Sequence, residues 1–92
     1  MNVAIIGCGL IGKKRASALA GEDVLVGCCD SDEKTLVDFS AQFKCKAYSD
    51  HRKLVEESGC EAVVVAVVNK YAKDIVLASL SSGKHVLAEK PL

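Results

Sequence analysis

The stretch Asn2–Gly12, NVAIIGCGLIG, decides how the rest of the chain is read. Asn2 to Ile6 is a short apolar run closed by glycine. It lacks in–out alternation, which suits a strand covered on both faces. Gly7, Gly9 and Gly12 follow in G-x-G-x-x-G spacing, and a helical pattern opens at Leu10. Each glycine has a physical task. Gly7 permits a tight turn out of the strand. A side chain at Gly9 would block the approach of a pyrophosphate. Gly12 lets the helix pack closely on the sheet. The helix start offers unpaired N–H groups and a partial positive charge to phosphates. The spacing alone is a weak signal. Here it sits between a strand and a helix, and Asp30 follows 18 residues after Gly12 at the end of the next strand. That context points to dinucleotide binding at this loop.

Asp30, followed by Ser31, has two readings. Its carboxylate can accept hydrogen bonds from the adenosine ribose, which favours NAD over NADP because a 2′-phosphate would meet its charge. It can also cap the helix that follows, in a capping box with Glu33. No arginine lies immediately after it to hold a 2′-phosphate. Lys13, Lys14 and Arg15 crowd the first helix with positive charge, readable as phosphate attraction or as a solvated surface.

Working outward, strand and helix patterns alternate five times. Val24–Cys29 reads as the second strand, and a helix runs from Asp30 to about Phe43 with Leu36, Phe39, Ser40 and Phe43 on one face. Cys45–Tyr48 is a short third strand, and Ser49 or Asp50 caps a brief helix carrying Leu54 and Val55. Ala62–Val68, AVVVAVV, is read as a long buried fourth strand. A helix over 71–82 presents Ala72, Ile75, Val76, Ser79 and Leu80. His85–Ala88 is the fifth strand. Alternation with short connections predicts an α/β fold, a doubly wound parallel sheet in the order 3-2-1-4-5. Ligands bind such sheets at the C-terminal strand ends. There lie the glycine loop, Asp30, Ser49, Asn69 and Glu89-Lys90-Pro91. His51 is expected at an exposed helix start, and His85 opposite the ligand edge. Neither is assigned a catalytic role.

The chain has 92 residues, enough for one domain. Half are hydrophobic and few are aromatic, so Val, Ile, Leu and Ala build the core. Twelve basic and twelve acidic residues cancel, which argues against nucleic acid as a partner. No apolar run approaches the ~20 residues that span a bilayer, and no basic n-region opens the chain. Five cysteines, odd in number and without Cys-x-x-Cys, read as reduced core thiols of a cytoplasmic protein, with no metal site.

Three stretches carry a resemblance: VAIIGCGLIGKKRASAL, VAVVNKYAKDIVLASLSSGKHVLAEKPL, and within it SGKHVLAEKPL, the most specific. With their spacing, they resemble the glucose–fructose oxidoreductase / inositol dehydrogenase / rhizopine catabolism (Gfo/Idh/MocA) family over the whole chain. The resemblance implies an N-terminal Rossmann domain, residues 1–92, truncated before a substrate domain. It implies NAD(P)-dependent oxidation of sugars, nucleotide sugars or polyols. Gly7, Cys8, Gly9, Leu10, Ile11 and Gly12 would hold the pyrophosphate and Asp30 the adenosine ribose, while Val67, Val68 and Asn69 would line the nicotinamide side. Glu89 and Lys90 would sit by the nicotinamide ribose and the reacting carbon. By composition Lys90 is a lysine beside a chain end; the resemblance makes it the catalytic residue, hydrogen-bonding the substrate oxygen.

Three departures from the family pattern stand out. Val67-Val68 stands for Thr-Pro before Asn69, Ala72 for a histidine three residues after it, and Arg15 for a histidine three residues after Gly12. The first two bear on the shape near the nicotinamide, and neither touches the phosphate loop or Lys90. The chain alone is then expected to lack turnover. Its fifth strand becomes a sheet edge that invites self-association. A non-catalytic nucleotide-binding module or partner subunit is the competing reading. A reductase of the dihydrodipicolinate type is disfavoured by Glu-Lys-Pro after strand five.

Overall fold

The computed structural model describes residues 1–67 and 70–89. Five strands alternate with four helices: β1 (Asn2–Ile6), α1 (Leu10–Ala18), β2 (Val24–Cys29), α2 (Glu33–Phe43), β3 (Lys46–Tyr48), α3 (His51–Glu57), β4 (Ala62–Val65), α4 (Ala72–Ser81) and β5 (His85–Ala88). The strands form one parallel sheet in the order β3-β2-β1-β4-β5, as the alternation predicts.

The unbroken apolar runs are explained by two cores. In β1, Ala4 and Ile6 face a core with Leu54 and Val55 of α3 and Ala72 and Ile75 of α4. Val3 and Ile5 face the opposite core, with Ala16 of α1 and Leu36 and Phe39 of α2. β4 divides likewise, Val63 and Val65 to one side and Val64 to the other. A strand buried on both faces needs apolar residues at every position. Four of the five free cysteines are buried, and Cys8 and Cys28 belong to the second core.

Three boundaries differ from expectation. β4 stops at Val65, although AVVVAVV reads as strand through Val68; Ala66 and Val67 lie outside it, and Val68 lies outside the described residues. Its neighbours end at the same level: Val65 pairs with Ile6, the last residue of β1, and with Ala88, the last of β5. Two more bonds close the ladder, Ala66 N–H to the Ile6 carbonyl at 2.8 Å and Glu89 N–H to the Val65 carbonyl at 3.0 Å. β3 starts at Lys46 rather than Cys45. α2 starts at Glu33, and its cap is Asp32, whose carboxylate accepts from the Thr35 N–H at 3.0 Å. The expected capping box from Asp30 to Glu33 does not form, because Asp30 turns its carboxylate elsewhere.

On α4, Ala72, Ile75 and Ser79 are buried as expected, the Ser79 hydroxyl donating to the Ile75 carbonyl at 2.8 Å. Leu80 is instead exposed. No helix among the described residues is long and apolar enough to cross a membrane.

Candidate functional site

Parallel strands aim their C-terminal ends at one edge, and a cleft of about 610 Å³ opens there. Its floor is the turn out of β1. Gly7 takes φ +103°, a left-handed conformation that favours glycine. A Cβ there would also press on the Ala66 carbonyl carbon at 2.8 Å. A Cβ at Gly12 would overlap the Gly7 carbonyl oxygen and approach Ile5 Cγ2 at 3.5 Å. Gly12 therefore seats α1 against both loop and strand. At Gly9 a Cβ would meet nothing within 4 Å. Packing does not demand glycine at this position; the open space over it is what a pyrophosphate needs. Gly9 is also the N-cap of α1, and no side chain caps it. The first N–H groups of the helix remain available to an anion. The residues present thus fit a dinucleotide.

Asp30 ties the second wall to this loop. Its Oδ2 accepts from the Cys8 N–H at 2.8 Å, and its Oδ1 accepts from the Asp32 N–H at 2.8 Å. The carboxylate stands at the glycine loop itself, half-buried, with each oxygen keeping a second acceptor site. Ser31 lines the same cleft. Behind them burial first, and then the charges of Asp30 and Asp50, push the Cys29 thiol up to about 11.

Of the residues singled out by sequence, Gly7, Gly9, Asp30, Ser31 and Val67 line the cleft together. Cys8 is buried beneath it and contributes its N–H to Asp30. Ile11 is half-buried on α1. Leu10 is 72% exposed and belongs to a shallow surface with Lys13, Lys14, Ser17 and Ala18. Val68, Asn69 and Lys90 lie outside the described residues. Glu89 stands at the exit of β5, its carboxylate paired with Arg15 of α1.

Ser49, expected at the ligand edge, lines the cleft as well, and the cleft recruits residues that sequence reasoning passed over. His51, expected at an exposed helix start, is half-buried and lines it with Asp50 and Arg52. The turn from β3 into α3 brings them there, with Asp50 capping α3 through the Arg52 N–H at 2.9 Å. Tyr71, Asp74, Ile75 and Ala78 supply the opposite wall from α4. The position of Ser49 at a strand end was the available signal for the first group; the α4 wall had none beyond helical periodicity.

The family model for the NAD-binding Rossmann fold of the Gfo/Idh/MocA oxidoreductases matches residues 1–92. The chain belongs to this family. Inositol 2-dehydrogenase 2 of Saccharopolyspora erythraea is 34% identical over 97 residues, covering 100% of this chain and 28% of that protein. GenD2 from gentamicin A biosynthesis, solved in complex with NAD, superposes with a TM-score of 0.94 at 26% identity, covering 100% of this chain and 27% of that one. Biliverdin reductase from Synechocystis, solved with biliverdin and NADP+, gives 0.92 at 27% identity, covering 99% and 29%. The chain therefore spans under a third of the length of these relatives. The glycine loop and the cleft above it both lie within the stretch that the family model matches.

Proposed function

We propose that residues 1–92 are the cofactor domain of an oxidoreductase that transfers a hydride between a nicotinamide dinucleotide and a sugar, nucleotide sugar or polyol. One observation carries the reading: the Asp30 carboxylate, a ribose acceptor, is hydrogen-bonded at 2.8 Å to the glycine loop whose Gly9 faces open space. That geometry supports ribose and pyrophosphate subsites within one cleft. The inositol dehydrogenase relative supports a polyol- or sugar-type substrate.

In this reading Gly7 to Gly12 hold the pyrophosphate, and Asp30 and Ser31 hold the adenosine ribose. Val67, Val68, Asn69 and Glu89 line the nicotinamide side. Lys90 hydrogen-bonds the substrate oxygen and stabilises its developing negative charge. The bound nicotinamide supplies the hydride acceptor. NAD is preferred over NADP. Among the described residues Asp30, Asp50 and Asp74 line the cleft against one arginine, Arg52, an electrostatic setting that disfavours an added 2′-phosphate. Substrate contacts come from sequence outside this chain, so the chain binds cofactor without turning over.

Fluorescence titration with NADH and NADPH tests the reading. Saturable binding with NADH the tighter ligand is expected, and NADH formation by the isolated chain over a sugar panel should be absent. A clear preference for NADPH would overturn the cofactor assignment, and no binding of either would overturn the function.

A further inference from the structure

Lys13, Lys14 and Arg15 look alike in the sequence, but the structure separates them. Lys13 and Lys14 belong to the shallow outer surface of α1. Arg15 reaches across 74 positions of sequence, where its Nε donates to Glu89 Oε1. Strand parity explains the meeting. Val86 packs into the core shared with α3 and α4, so His85, Leu87 and Glu89 point to the opposite face, where α1 packs on β1 and β4. Leu87 is left half exposed there. The Glu89 side chain, one step further, is only 13% exposed. Among the described residues the exit of β5 has one other tether, the Glu89 N–H to the Val65 carbonyl at 3.0 Å. Among the described residues β5 is the edge strand of the sheet, paired with β4 alone. The hydrogen bond to Arg15 also keeps the Glu89 carboxyl below its ordinary range, and thus ionised. Arg15 engages Oε1, and no described residue donates to Oε2, which can still accept from a hydroxyl.

We propose that Arg15 is a positioning residue: it holds the Glu89 carboxylate, and with it the exit of β5, at the nicotinamide end of the cofactor groove. This rests on the proposed reading of the groove and deepens it. α1 carries the phosphate loop at its start and Arg15 in its second turn. One short helix thereby sets the spacing between the two halves of the cofactor, and Arg15 acts only through Glu89.

The test compares NADH with ADP, which has the adenosine and pyrophosphate but no nicotinamide ribose. Arg15→Met should raise the Kd for NADH roughly two- to fivefold, the range of a half-exposed ion pair, and leave ADP unchanged. Arg15→Lys should recover part of the loss. Glu89→Gln should reproduce it, and adding Arg15→Met to Glu89→Gln should cost nothing more. Lys14→Met, a charge loss on the same helix, should leave the NADH-to-ADP ratio intact. If Arg15→Met weakens ADP as much as NADH, or its effect persists beside Glu89→Gln, Arg15 acts on the phosphates by charge and the proposal fails. It also fails if neither affinity moves. If circular dichroism shows Arg15→Met unfolded, Glu89→Gln and Arg15→Lys carry the test. Failure of the unaltered chain to bind ADP would instead overturn the functional reading, and the inference with it.

Discussion

Replacing Gly9 by alanine should separate binding from folding. The backbone at Gly9 has φ −78° and ψ −159°, open to any L-residue. The added Cβ meets no atom within 4 Å, so the folded state accepts it without strain. The unfolded chain loses freedom, and stability should stay level or rise by up to about 1 kcal/mol. Binding should suffer, because the methyl group stands where a phosphate must approach the backbone. Losing one charge-assisted hydrogen bond there costs about 1.5–3 kcal/mol. That is roughly a 10- to 150-fold rise in Kd for NADH. Gly12→Ala is the internal contrast. Its Cβ overlaps the Gly7 carbonyl oxygen, so overpacking should cost roughly 1–3 kcal/mol of stability before any ligand is added. Urea denaturation and NADH fluorescence on both variants read the two quantities. A Gly9→Ala chain that binds NADH normally, or that loses more than about 1 kcal/mol of stability, would refute the reasoning.

Asp30→Ala should lower stability by about 1–3 kcal/mol, because the part-buried Cys8 N–H loses its acceptor, and should move cofactor preference toward NADPH; denaturation and paired titrations check both. Asp32 is held below its usual carboxylate range by hydrogen bonds from the Thr35 hydroxyl and N–H. A depressed folded pKa contributes stability that is present above the unfolded value, about 3.9, and lost as pH falls through the folded value. Asp32→Ala should therefore lower Tm at neutral pH and flatten its fall below about pH 4; an unchanged acid limb would contradict this. The β5 edge, with Leu87 exposed, should self-associate as concentration rises, and Leu87→Lys should suppress it. A clean monomer of the unaltered chain in sedimentation would count against that.

Much of the architecture was legible because it depends on local signals. NVAII before three spaced glycines, and repeated strand–helix alternation, suffice for a parallel sheet and its order. What escaped depends on partners remote in sequence. AVVVAVV has strand propensity throughout, but β4 ends where Ile6 and Ala88 cease to pair with it. Asp30 with Glu33 has capping-box spacing, yet the tight Gly7 turn presents the Cys8 N–H to Asp30, and the cap falls to Asp32. Arg15 and Glu89 are each unremarkable until parity on β5 and the placement of α1 bring them together. His51 and Arg52 reach the cleft because β3 is only three residues long and α3 starts beside the ligand edge.

The central claim is that this chain holds a nicotinamide dinucleotide across the glycine loop and Asp30. At 9.7 kDa it suits amide-resolved NMR titration with NAD. The account predicts saturable shifts at Gly7, Gly9, Leu10, Ile11, Gly12, Asp30, Ser31 and Val67, with the outer face of α2 silent. Shifts confined to other surfaces, or none that saturate, would contradict it.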